Sequence, residues 1–180
     1  MKKFLRDIVV TIILAIVIFV LLQTTFQTFI VVGSSMEPNF QWQQRLLINK
    51  AVYHFLEPER GDVIVFKPAN NQQADYLKRI IALPSDTVEV KMRVVYVNDS
   101  PLDEPYIKEP PRYTLHKRRI PDNNYFVLGD NRNNSNDSHH DWTVPRQNIV
   151  GKVWLSIWPP NEWGLAANYS LQEQLVSPAE

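Results

Sequence analysis

The feature that most constrains this chain is a run without charged side chains that extends from Ile8 to Met36. Within it, the stretch from Ile8 to Leu22 has a single polar residue, Thr11. A helix needs about 20 mostly apolar residues to cross a bilayer, and we predict such an anchor over residues 8–29. A cleavable signal peptide would end at a small-x-small site, and residues 23–27 contain none, so we expect the anchor to be retained.

The charges around the anchor predict its orientation. Three basic residues precede it: Lys2, Lys3 and Arg6. The next basic residue is Arg45, and basic residues collect on the cytosolic side of membrane helices. We therefore predict a single-pass protein of the cell membrane, with residues 1–7 in the cytosol, residues 30–180 in one domain outside, and the lipid bilayer as a partner.

The composition excludes several classes of function. The chain of 180 residues contains no cysteine, which excludes a disulfide framework, a thiolate nucleophile and cysteine-ligated zinc. The formal net charge is zero, so the basic excess typical of nucleic-acid-binding proteins is missing and nucleic acid is not an expected partner. The part beyond the anchor is long enough for one domain with its own core, and we expect a monomer.

The region beyond the anchor has the pattern of strands. Five short segments are rich in β-branched and aromatic residues and are separated by Pro, Asn, Asp and Gly: residues 62–66, 76–81, 87–97, 125–128 and 149–157. The sequence has no long apolar stripe with helical spacing there. We predict a mainly β fold, in which an antiparallel sheet forms the domain behind one N-terminal transmembrane helix.

Two regions of this domain carry more specific predictions. In residues 87–97, apolar side chains at every second position from Val88 to Tyr96, with Met92 among them, predict one strand with one buried face. Between residues 103 and 124, four prolines and the run Lys117-Arg118-Arg119 predict an exposed excursion.

A candidate nucleophile follows the anchor directly, in the sequence Gly33-Ser34-Ser35-Met36-Glu37-Pro38. A serine hydroxyl needs an adjacent base, and a lysine can be that base only when its amine is neutral. Lys78 lies within the apolar segment 76–81, where burial would lower its pKa. Operation near pH 8 requires a drop of about two units from an ordinary value of about 10.4, or roughly 3 kcal/mol. The alternative is an ordinary strand lysine whose amine reaches solvent.

Three segments together resemble the type I signal peptidases. Ser35-Met36-Glu37-Pro38 is similar to the family's Ser-Met-x-Pro nucleophile motif, and residues 76–84, Tyr-Leu-Lys-Arg-Ile-Ile-Ala-Leu-Pro, are similar to its lysine strand. Residues 129–138, Gly-Asp-Asn-Arg-Asn-Asn-Ser-Asn-Asp-Ser, resemble its Gly-Asp-Asn-Arg-Asp-x-Ser-x-Asp-Ser loop. The segments follow the family's order behind an uncharged anchor. The resemblance implies an enzyme that removes signal peptides from exported preproteins at Ala-x-Ala-like sites on the outer face of the membrane, without metal or cofactor.

The resemblance also implies roles for individual residues. Ser35 would be the nucleophile and Lys78 the general base, and Ser135 would orient the lysine amine through a hydroxyl hydrogen bond. Three charged residues would brace the loop through ion pairs and hydrogen bonds: Asp130, Arg132 and Asp137. Gly33 stands where some members have a serine that donates to the oxyanion, so backbone N–H groups would have to stabilise the oxyanion here.

Three residues beside the motifs match the family's substrate-pocket walls: Phe29, Val31 and Leu77. A signal peptide would add as a strand to an exposed sheet edge above them. The same residues are also compatible with ordinary core packing. Likewise, Trp154, Trp158 and Trp163 could rest at the lipid interface, where indole rings are favoured, or lie in the core.

Other features favour competing interpretations. His139-His140-Asp141 invites a metal site or a histidine base for Ser35, although adjacent residues on an extended chain point to opposite sides and chelate poorly. Ser34 is the competing nucleophile, but its spacing to Met36-Glu37-Pro38 does not match the motif. Three further hypotheses are a membrane-anchored binding module without catalysis, a self-cleaving Ser/Lys repressor-type protein, and an organellar processing peptidase of the same family. The repressor would need a DNA-binding module where the anchor lies.

Overall fold

The computed structural model of the protein describes residues 2–68, 74–169, 171 and 174. It begins with helix α1 (Lys2–Thr25), which is long and apolar enough to cross a membrane and is not buried against the rest of the described chain. The helix ends at Thr25, and a strand follows directly. Residues 26–29, predicted as the end of the anchor, therefore belong to this strand.

Strands make up most of the ordered secondary structure beyond α1. In chain order they are β1 (Phe26–Ile30), β2 (Arg45–Asn49), β3 (Val63–Phe66), β4 (Tyr76–Ala82), β5 (Thr87–Lys91), β6 (Val94–Val97), β7 (Ser100–Pro101), β8 (Leu115–Arg119), β9 (Asn124–Leu128), β10 (Val144–Pro145), β11 (Ile149–Trp158) and β12 (Gly164–Leu165). The longer strands are rich in valine, isoleucine and aromatic residues, which pack well on a pleated surface. The short helical segments described between them are α2 (Val52–Phe55) and the 3-10 turns Ser138–His140, Arg146–Asn148 and Pro160–Glu162.

The strands pair antiparallel and form two sheets in the part of the chain that the structure describes. The main sheet has the order β1-β2-β11-β3-β4-β9-β10, with β12 paired to β11. The smaller sheet has the order β7-β6-β5-β8. This architecture confirms the prediction of a mainly antiparallel β domain behind one N-terminal apolar helix.

Strand β4 separates two apolar clusters that hold the main sheet together. Its residues alternate between the faces, so Leu77 packs in the cluster of Val31 while Ile80 packs in the cluster of Phe66. Every β4 residue after the half-buried Tyr76 is buried. A lysine on a strand enclosed on both faces has little access to water, so its amine needs hydrogen-bond partners inside the protein.

Residues 87–97 form two strands, where the alternation predicted one. Strands β5 and β6 pair as a hairpin, with Met92 and Arg93 at its tip in left-handed conformations, at φ of 50° and 65°. The turn shifts the alternation, so Val90 before it and Val95 after it are fully buried while Met92, predicted to be buried, is 89% exposed. Such turns usually carry Gly, Asn or Asp, and the absence of these residues concealed the hairpin.

The run Lys117-Arg118-Arg119 is not in an exposed excursion. It belongs to β8, which pairs with β5 in the smaller sheet. Arg118 is half-buried and forms an ion pair with Asp141, with 2.6 Å between Nη1 and Oδ1. The strand was missed because its charged residues occupy the exposed positions and only Leu115 marks the buried face.

The three tryptophans whose position the sequence left open lie at the surface. Trp154, Trp158 and Trp163 are 43, 52 and 67% exposed, so the core interpretation is wrong for all three. Phe26, the first residue after α1, stacks on Trp154 with ring centroids 5.2 Å apart. The exposed indoles of β11 therefore begin beside the end of the apolar helix.

Candidate active site

Ser35 and Lys78 meet beside the first half of β4. Ser35 lies in the turn region that follows β1, and Lys78 is the third residue of β4. The Ser35 Oγ and Lys78 Nζ atoms form a hydrogen bond of 2.6 Å. The amine also donates to the main-chain oxygen of Leu77 at 2.9 Å. The fold thus brings together the two residues that the motifs predicted as nucleophile and base.

Lys78 has surroundings that favour its neutral form. The residue is 5% exposed and has no ion-pair partner among the described residues. Burial lowers the pKa of Lys78 to about 8, although the carboxylates of Asp137 and Asp130 act in the opposite direction. An amine with this pKa is largely neutral at mildly alkaline pH and can accept a proton. The alternative of a strand lysine that reaches solvent is therefore wrong.

The segment that carries Ser35 is held against the loop of residues 129–138. The N–H of Asn131 donates to the carbonyl oxygen of Ser35 at 3.0 Å, and its side-chain amide donates to the carbonyl oxygen of Ser34 at 3.1 Å. The Ser34 hydroxyl accepts from Nδ2 of Asn134 at 3.0 Å. The two adjacent serines therefore differ in their surroundings, since Ser35 contacts the lysine and Ser34 contacts the loop.

Ser135 lies beside the backbone of Ser35, but it does not make the expected hydrogen bond to Lys78. Its Oγ is buried and has no hydrogen-bond partner among the described residues. A Cβ at Gly129 would collide with this Oγ and with the carbonyl oxygen of Ser35. The absence of a side chain at Gly129 therefore allows the loop to approach Ser35. A role of Ser135 in orienting the amine stays a prediction.

Asp130 forms a buried ion pair with the residue that follows the lysine. Its carboxylate accepts from Nε and Nη2 of Arg79 at 2.9 and 2.8 Å, and both side chains are fully buried. It also accepts from Nδ2 of Asn39 at 2.7 Å. The remaining guanidinium nitrogen of Arg79 donates to two main-chain carbonyl oxygens. Because Arg79 and Lys78 are neighbours in β4, this pair connects the loop directly to the strand of the lysine.

Arg132 extends from the same loop toward the segment before β8. Two of its guanidinium nitrogens contact the Glu104 carboxylate at 2.5 and 2.6 Å, and its Nε donates to the carbonyl oxygen of Gly129 at 3.1 Å. The Arg132 side chain is fully buried, and that of Glu104 is nearly so. A bidentate arginine–carboxylate pair fixes orientation as well as distance, so Arg132 ties the start of the loop to the protein interior.

Asp137 holds the other end of the loop. Its buried carboxylate accepts from the N–H of Gly129 at 2.9 Å and lies 2.6 Å from Nδ1 of His139. Burial raises the pKa of Asp137, but the hydrogen bonds with His139 and Gly129 outweigh burial and hold the pKa below its ordinary value. The nearby Ser135 hydroxyl acts in the same direction without reaching hydrogen-bond geometry. The carboxylate thus stays charged, and its negative charge acts on the Lys78 amine.

A cleft of about 540 Å³ opens at the Ser35–Lys78 pair. Its walls include the three residues that the resemblance linked to substrate: Phe29, Val31 and Leu77. Val31 and Leu77 are also members of an apolar cluster of the main sheet. These two side chains therefore contribute both to the core and to the wall of the cleft. Gly33 lines the cleft with a φ of 86°, a conformation that favours glycine and disfavours a serine at this position.

Comparison with known proteins identifies the family. The family described as "Signal peptidase, peptidase S26" matches residues 3–158. The chain belongs to this signal peptidase family. A probable signal peptidase I-1 of Synechocystis sp. is 43% identical over 145 residues, which cover 77% of this chain and 74% of that protein. A signal peptidase I of Leptolyngbya laminosa is 45% identical over 139 residues, 73% of this chain and 68% of that protein.

A more distant relative covers more of the chain. Signal peptidase I S of Bacillus subtilis is 33% identical over 174 residues, which cover 89% of this chain and 93% of that protein. Membership of the signal peptidase family makes the chain a peptidase by descent, which sets aside the binding module and the repressor-type protein as interpretations.

Sequence reasoning missed the partners of the charged loop residues in this signal peptidase. Arg79 offered a signal, because a second cation inside an apolar strand requires a carboxylate partner in the fold. Glu104 offered none, since it lies in a proline-rich stretch where acidic residues are usually solvated. Asn39 had no predicted role, and its hydrogen bonds to Asp130 and to the carbonyl oxygen of Tyr106 appear only in the fold.

The two adjacent histidines of this signal peptidase, His139 and His140, contact residues other than Ser35. His139 pairs with Asp137 and stacks on Tyr113, with ring centroids 4.2 Å apart, and the His140 ring lies 3.7 Å from that of His139. The hydrogen-bond partner of Ser35 Oγ among the described residues is Lys78. The described residues contain no group of three or more histidine or acidic side chains placed to hold a metal ion.

Proposed function

We propose that this chain is a membrane-anchored signal peptidase I that removes N-terminal signal peptides from exported preproteins after Ala-x-Ala-like sites, with Ser35 as nucleophile and Lys78 as general base. The observation that carries the proposal is the 2.6 Å hydrogen bond between the Ser35 hydroxyl and a buried lysine amine whose pKa is about 8. A protonated lysine cannot take the hydroxyl proton, so the lowered pKa is what makes the pair reactive.

In the proposed reaction, Lys78 accepts and then donates a proton in each of two steps. Its Nζ takes the hydroxyl proton as Ser35 Oγ attacks the scissile carbonyl carbon, and the resulting ammonium protonates the departing amine of the mature protein. The signal peptide remains as an ester on Ser35. The neutral amine then takes a proton from the water that attacks the ester carbonyl, and this proton returns to Ser35 Oγ as the signal peptide leaves.

Backbone N–H groups are proposed to stabilise the oxyanion. The N–H of Ser35 donates to no other described residue and belongs to the nucleophile itself. Gly33 offers no hydroxyl and has the backbone conformation of a glycine. Loss of a single oxyanion donor can cost 10²-fold or more in rate, so the enzyme is proposed to depend strongly on the local backbone of residues 33–36.

The proposed topology has residues 1–7 in the cytosol, α1 across the membrane and residues 30–180 outside. The three basic residues before the apolar run support this orientation. Ser35 follows shortly after Thr25, the last residue of α1, so the nucleophile is proposed to lie close to the outer membrane surface. The exposed indoles of β11 favour an interfacial position of the domain, where a preprotein tethered by its own signal sequence can reach the cleft.

The first test is cleavage of a peptide with an Ala-x-Ala site by the detergent-solubilised full chain. Ser35→Ala and Lys78→Ala are expected to lose cleavage by at least about 10³-fold, because both reaction steps use the pair. Ser34→Ala is the matched control for the nucleophile and is expected to keep cutting. Lys91→Ala, an exposed lysine on the smaller sheet, is the control for the base.

A double alanine variant of His139 and His140 addresses the histidine hypothesis. It is expected to keep cutting, at a reduced rate because His139 also supports Asp137. If this variant loses all activity while Lys78→Ala retains it, the lysine mechanism is wrong. If the folded wild type never cuts after the second alanine, the proposed substrate class is wrong.

A further inference from the structure

A second pocket lies beside the candidate catalytic cleft. It has a volume of about 290 Å³, and more than half of its lining residues are aromatic or aliphatic: Phe66, Pro68, Tyr76, Trp142, Val144 and Pro145. The rest of the wall is polar and includes Lys67 and His140. Phe66 is the centre of this wall, because its ring lies 6.1 Å from that of Tyr76 and 6.0 Å from that of Trp142. Tyr76 and Asn136 also line the cleft at Ser35. The two spaces are therefore neighbours that share part of their walls.

Strand β4 has an unpaired edge between these two spaces. Its pairing with β9 begins at Arg79, whereas its pairing with β3 extends back to Tyr76. Residues 76–78 therefore have a strand on one side and, within the described chain, none on the other. An extended peptide can add to such an edge through main-chain hydrogen bonds, with its side chains entering pockets on alternate faces.

The alternation along β4 decides which pocket each substrate side chain meets. Leu77 packs with Val31 on the face that carries the cleft walls. Tyr76 lies on the other face of β4, where it packs against the cluster of Phe66 and lines the second pocket, and it also borders the cleft. In a strand added to this edge, the two small residues of an Ala-x-Ala site share the Leu77 face, and the residue between them turns toward the Tyr76 face.

We propose that the pocket of Phe66, Tyr76 and Trp142 binds the side chain of the middle residue of the cleavage site, and that it selects apolar and aromatic side chains there. This inference rests on the proposed function, since it takes the site to be Ala-x-Ala-like. The chain then contacts three successive substrate side chains. The cleft accepts the two small ones, and the aromatic pocket on the other face of the added strand accepts the middle one.

The test uses peptides that differ only at the middle position, with Phe, Leu, Ser or Asp. The kcat/KM of the wild type is expected to be roughly tenfold higher for Phe than for Ser, the scale on which an apolar pocket discriminates. Trp142→Ala removes one wall and is expected to reduce this ratio to below about threefold. Phe55→Ala is the control, because Phe55 is an exposed aromatic residue outside the pocket, and it is expected to leave the ratio unchanged.

A cross-linking measurement keeps the inference testable if Trp142→Ala does not fold. A photoreactive benzoyl-phenylalanine at the middle position is bound to the Ser35→Ala full chain and irradiated. Attachment to Trp142 or Pro145, which line only the second pocket, supports the inference, and attachment to Val31 or Leu77, which line only the cleft, overturns the assignment of faces.

The outcomes separate this inference from the proposed function. If the wild type cuts every peptide after the second alanine at the same rate, the pocket inference fails while the peptidase assignment stands. A second pair of peptides differs only just after the cut, with Phe or Ser there; if Trp142→Ala lowers the Phe-to-Ser ratio of this pair and not that of the middle position, the pocket serves the mature side and the inference is likewise overturned. If no peptide is cut, the proposed function fails first.

Discussion

At the scale of single residues, the chemistry of the site depends on the surroundings of one amine. Lys78 has the same flexible side chain as any exposed lysine, yet enclosure within β4 lowers its pKa to about 8. Ser34 and Ser35 are neighbours of the same residue type, but their hydroxyl groups have different partners. The Ser35 hydroxyl contacts the Lys78 amine, whereas the Ser34 hydroxyl contacts the side-chain amide of Asn134. Burial and contacts therefore distinguish Lys78 from an exposed lysine and Ser35 from Ser34, and they are the basis of the proposed catalytic roles.

The lowered pKa predicts the pH dependence of cleavage. The kcat/KM for an Ala-x-Ala peptide should rise with pH and reach half its plateau near pH 8, because in the proposed mechanism only the neutral form of Lys78 accepts the Ser35 proton. Two pH units below that midpoint the rate should be about 100-fold lower. Steady-state cleavage between pH 5 and pH 10 measures this profile. A midpoint near 6.5 would instead indicate a histidine base.

The same pKa predicts a pH-dependent effect of Lys78→Met on stability. The folded-state pKa lies below the ordinary 10.5, so the unfolded chain binds the proton more tightly and the wild type gains stability as pH rises from about 8 to 10.5. Below pH 8 the buried lysine costs about 3 kcal/mol, and its hydrogen bonds to Leu77 and Ser35 return roughly 1–2 kcal/mol.

Lys78→Met should therefore raise the free energy of unfolding by about 1–2 kcal/mol at pH 7. The gain should disappear as pH approaches 10.5, where only the lost hydrogen bonds remain. Urea unfolding at the two pH values measures the change, and a gain that is independent of pH would contradict the lowered pKa.

At the scale of elements, the loop of residues 129–138 is positioned by its charged ends. Asp130 connects the loop to β4 through Arg79, and Arg132 connects it to Glu104. Asp137 accepts a hydrogen bond from the N–H of Gly129, the first residue of the same loop. None of these three residues contacts Ser35 or Lys78 through a hydrogen bond in the described structure. Their predicted contribution is to the geometry of the pair, which is why their loss should appear in stability and in kcat.

Asp130→Asn should destabilise the fold because it leaves the Arg79 guanidinium buried without a charged partner. Breaking a buried ion pair by removing one member costs about 3–5 kcal/mol, and chemical denaturation of the full chain in detergent measures it. Asp99→Asn is the matched control, since the Asp99–Lys117 pair is exposed, and it should change stability little or not at all. Equal effects of the two substitutions would argue against a structural role for the buried pair.

Gly129→Ala should reduce kcat with a smaller effect on KM. The new methyl group would collide with Ser135 Oγ and the Ser35 carbonyl oxygen, so the nucleophile must shift relative to Lys78. A misplacement of about 1 Å can cost about 100-fold in rate, and we expect at least a tenfold loss of kcat. Asn133→Ala, at an exposed position of the same loop, is the control. An unchanged kcat in Gly129→Ala would show that the close approach is not needed.

At the scale of the whole molecule, the helix contacts the β domain near its own end, where Lys50 donates hydrogen bonds to the carbonyl oxygens of Gln23 and Thr25. Helix α1 is not buried against the described domain, and its end leads directly into β1 at the margin of the main sheet. Three exposed tryptophans lie on β11 and in the turn after it, and the first of them, Trp154, stacks on Phe26 at the start of β1. Anchor and surface indoles together favour a domain that rests on the bilayer.

A chain lacking residues 2–25 should therefore remain folded and should still bind lipid vesicles weakly. Its unfolding midpoint should stay within a few degrees of that of the full chain, because residues 3–24 of α1 are exposed. Trp158→Ser combined with Trp163→Ser should weaken vesicle binding, measured by co-sedimentation, while Phe55→Ser on α2 should not. Vesicle binding that is unaffected by the tryptophan substitutions would place the lipid contact elsewhere.

What the sequence determined by itself was local. An apolar run long enough for a bilayer, alternating strands and three motif segments are patterns of neighbouring residues, so they predicted the helix, the antiparallel β domain and the candidate pair Ser35 and Lys78. Where the local signal was absent, the prediction was incomplete, as at the hairpin of Met92 and in β8.

Only the tertiary structure decided the contacts that give those residues their properties. The Ser35–Lys78 hydrogen bond joins positions 43 apart, and the Arg79–Asp130 pair joins positions 51 apart. Such pairings depend on how strands order within a sheet, and no local preference specifies that order. Burial is likewise a property of the assembled core, so the lowered pKa of Lys78 and the two neighbouring pockets beside β4 exist only once the sheet has formed.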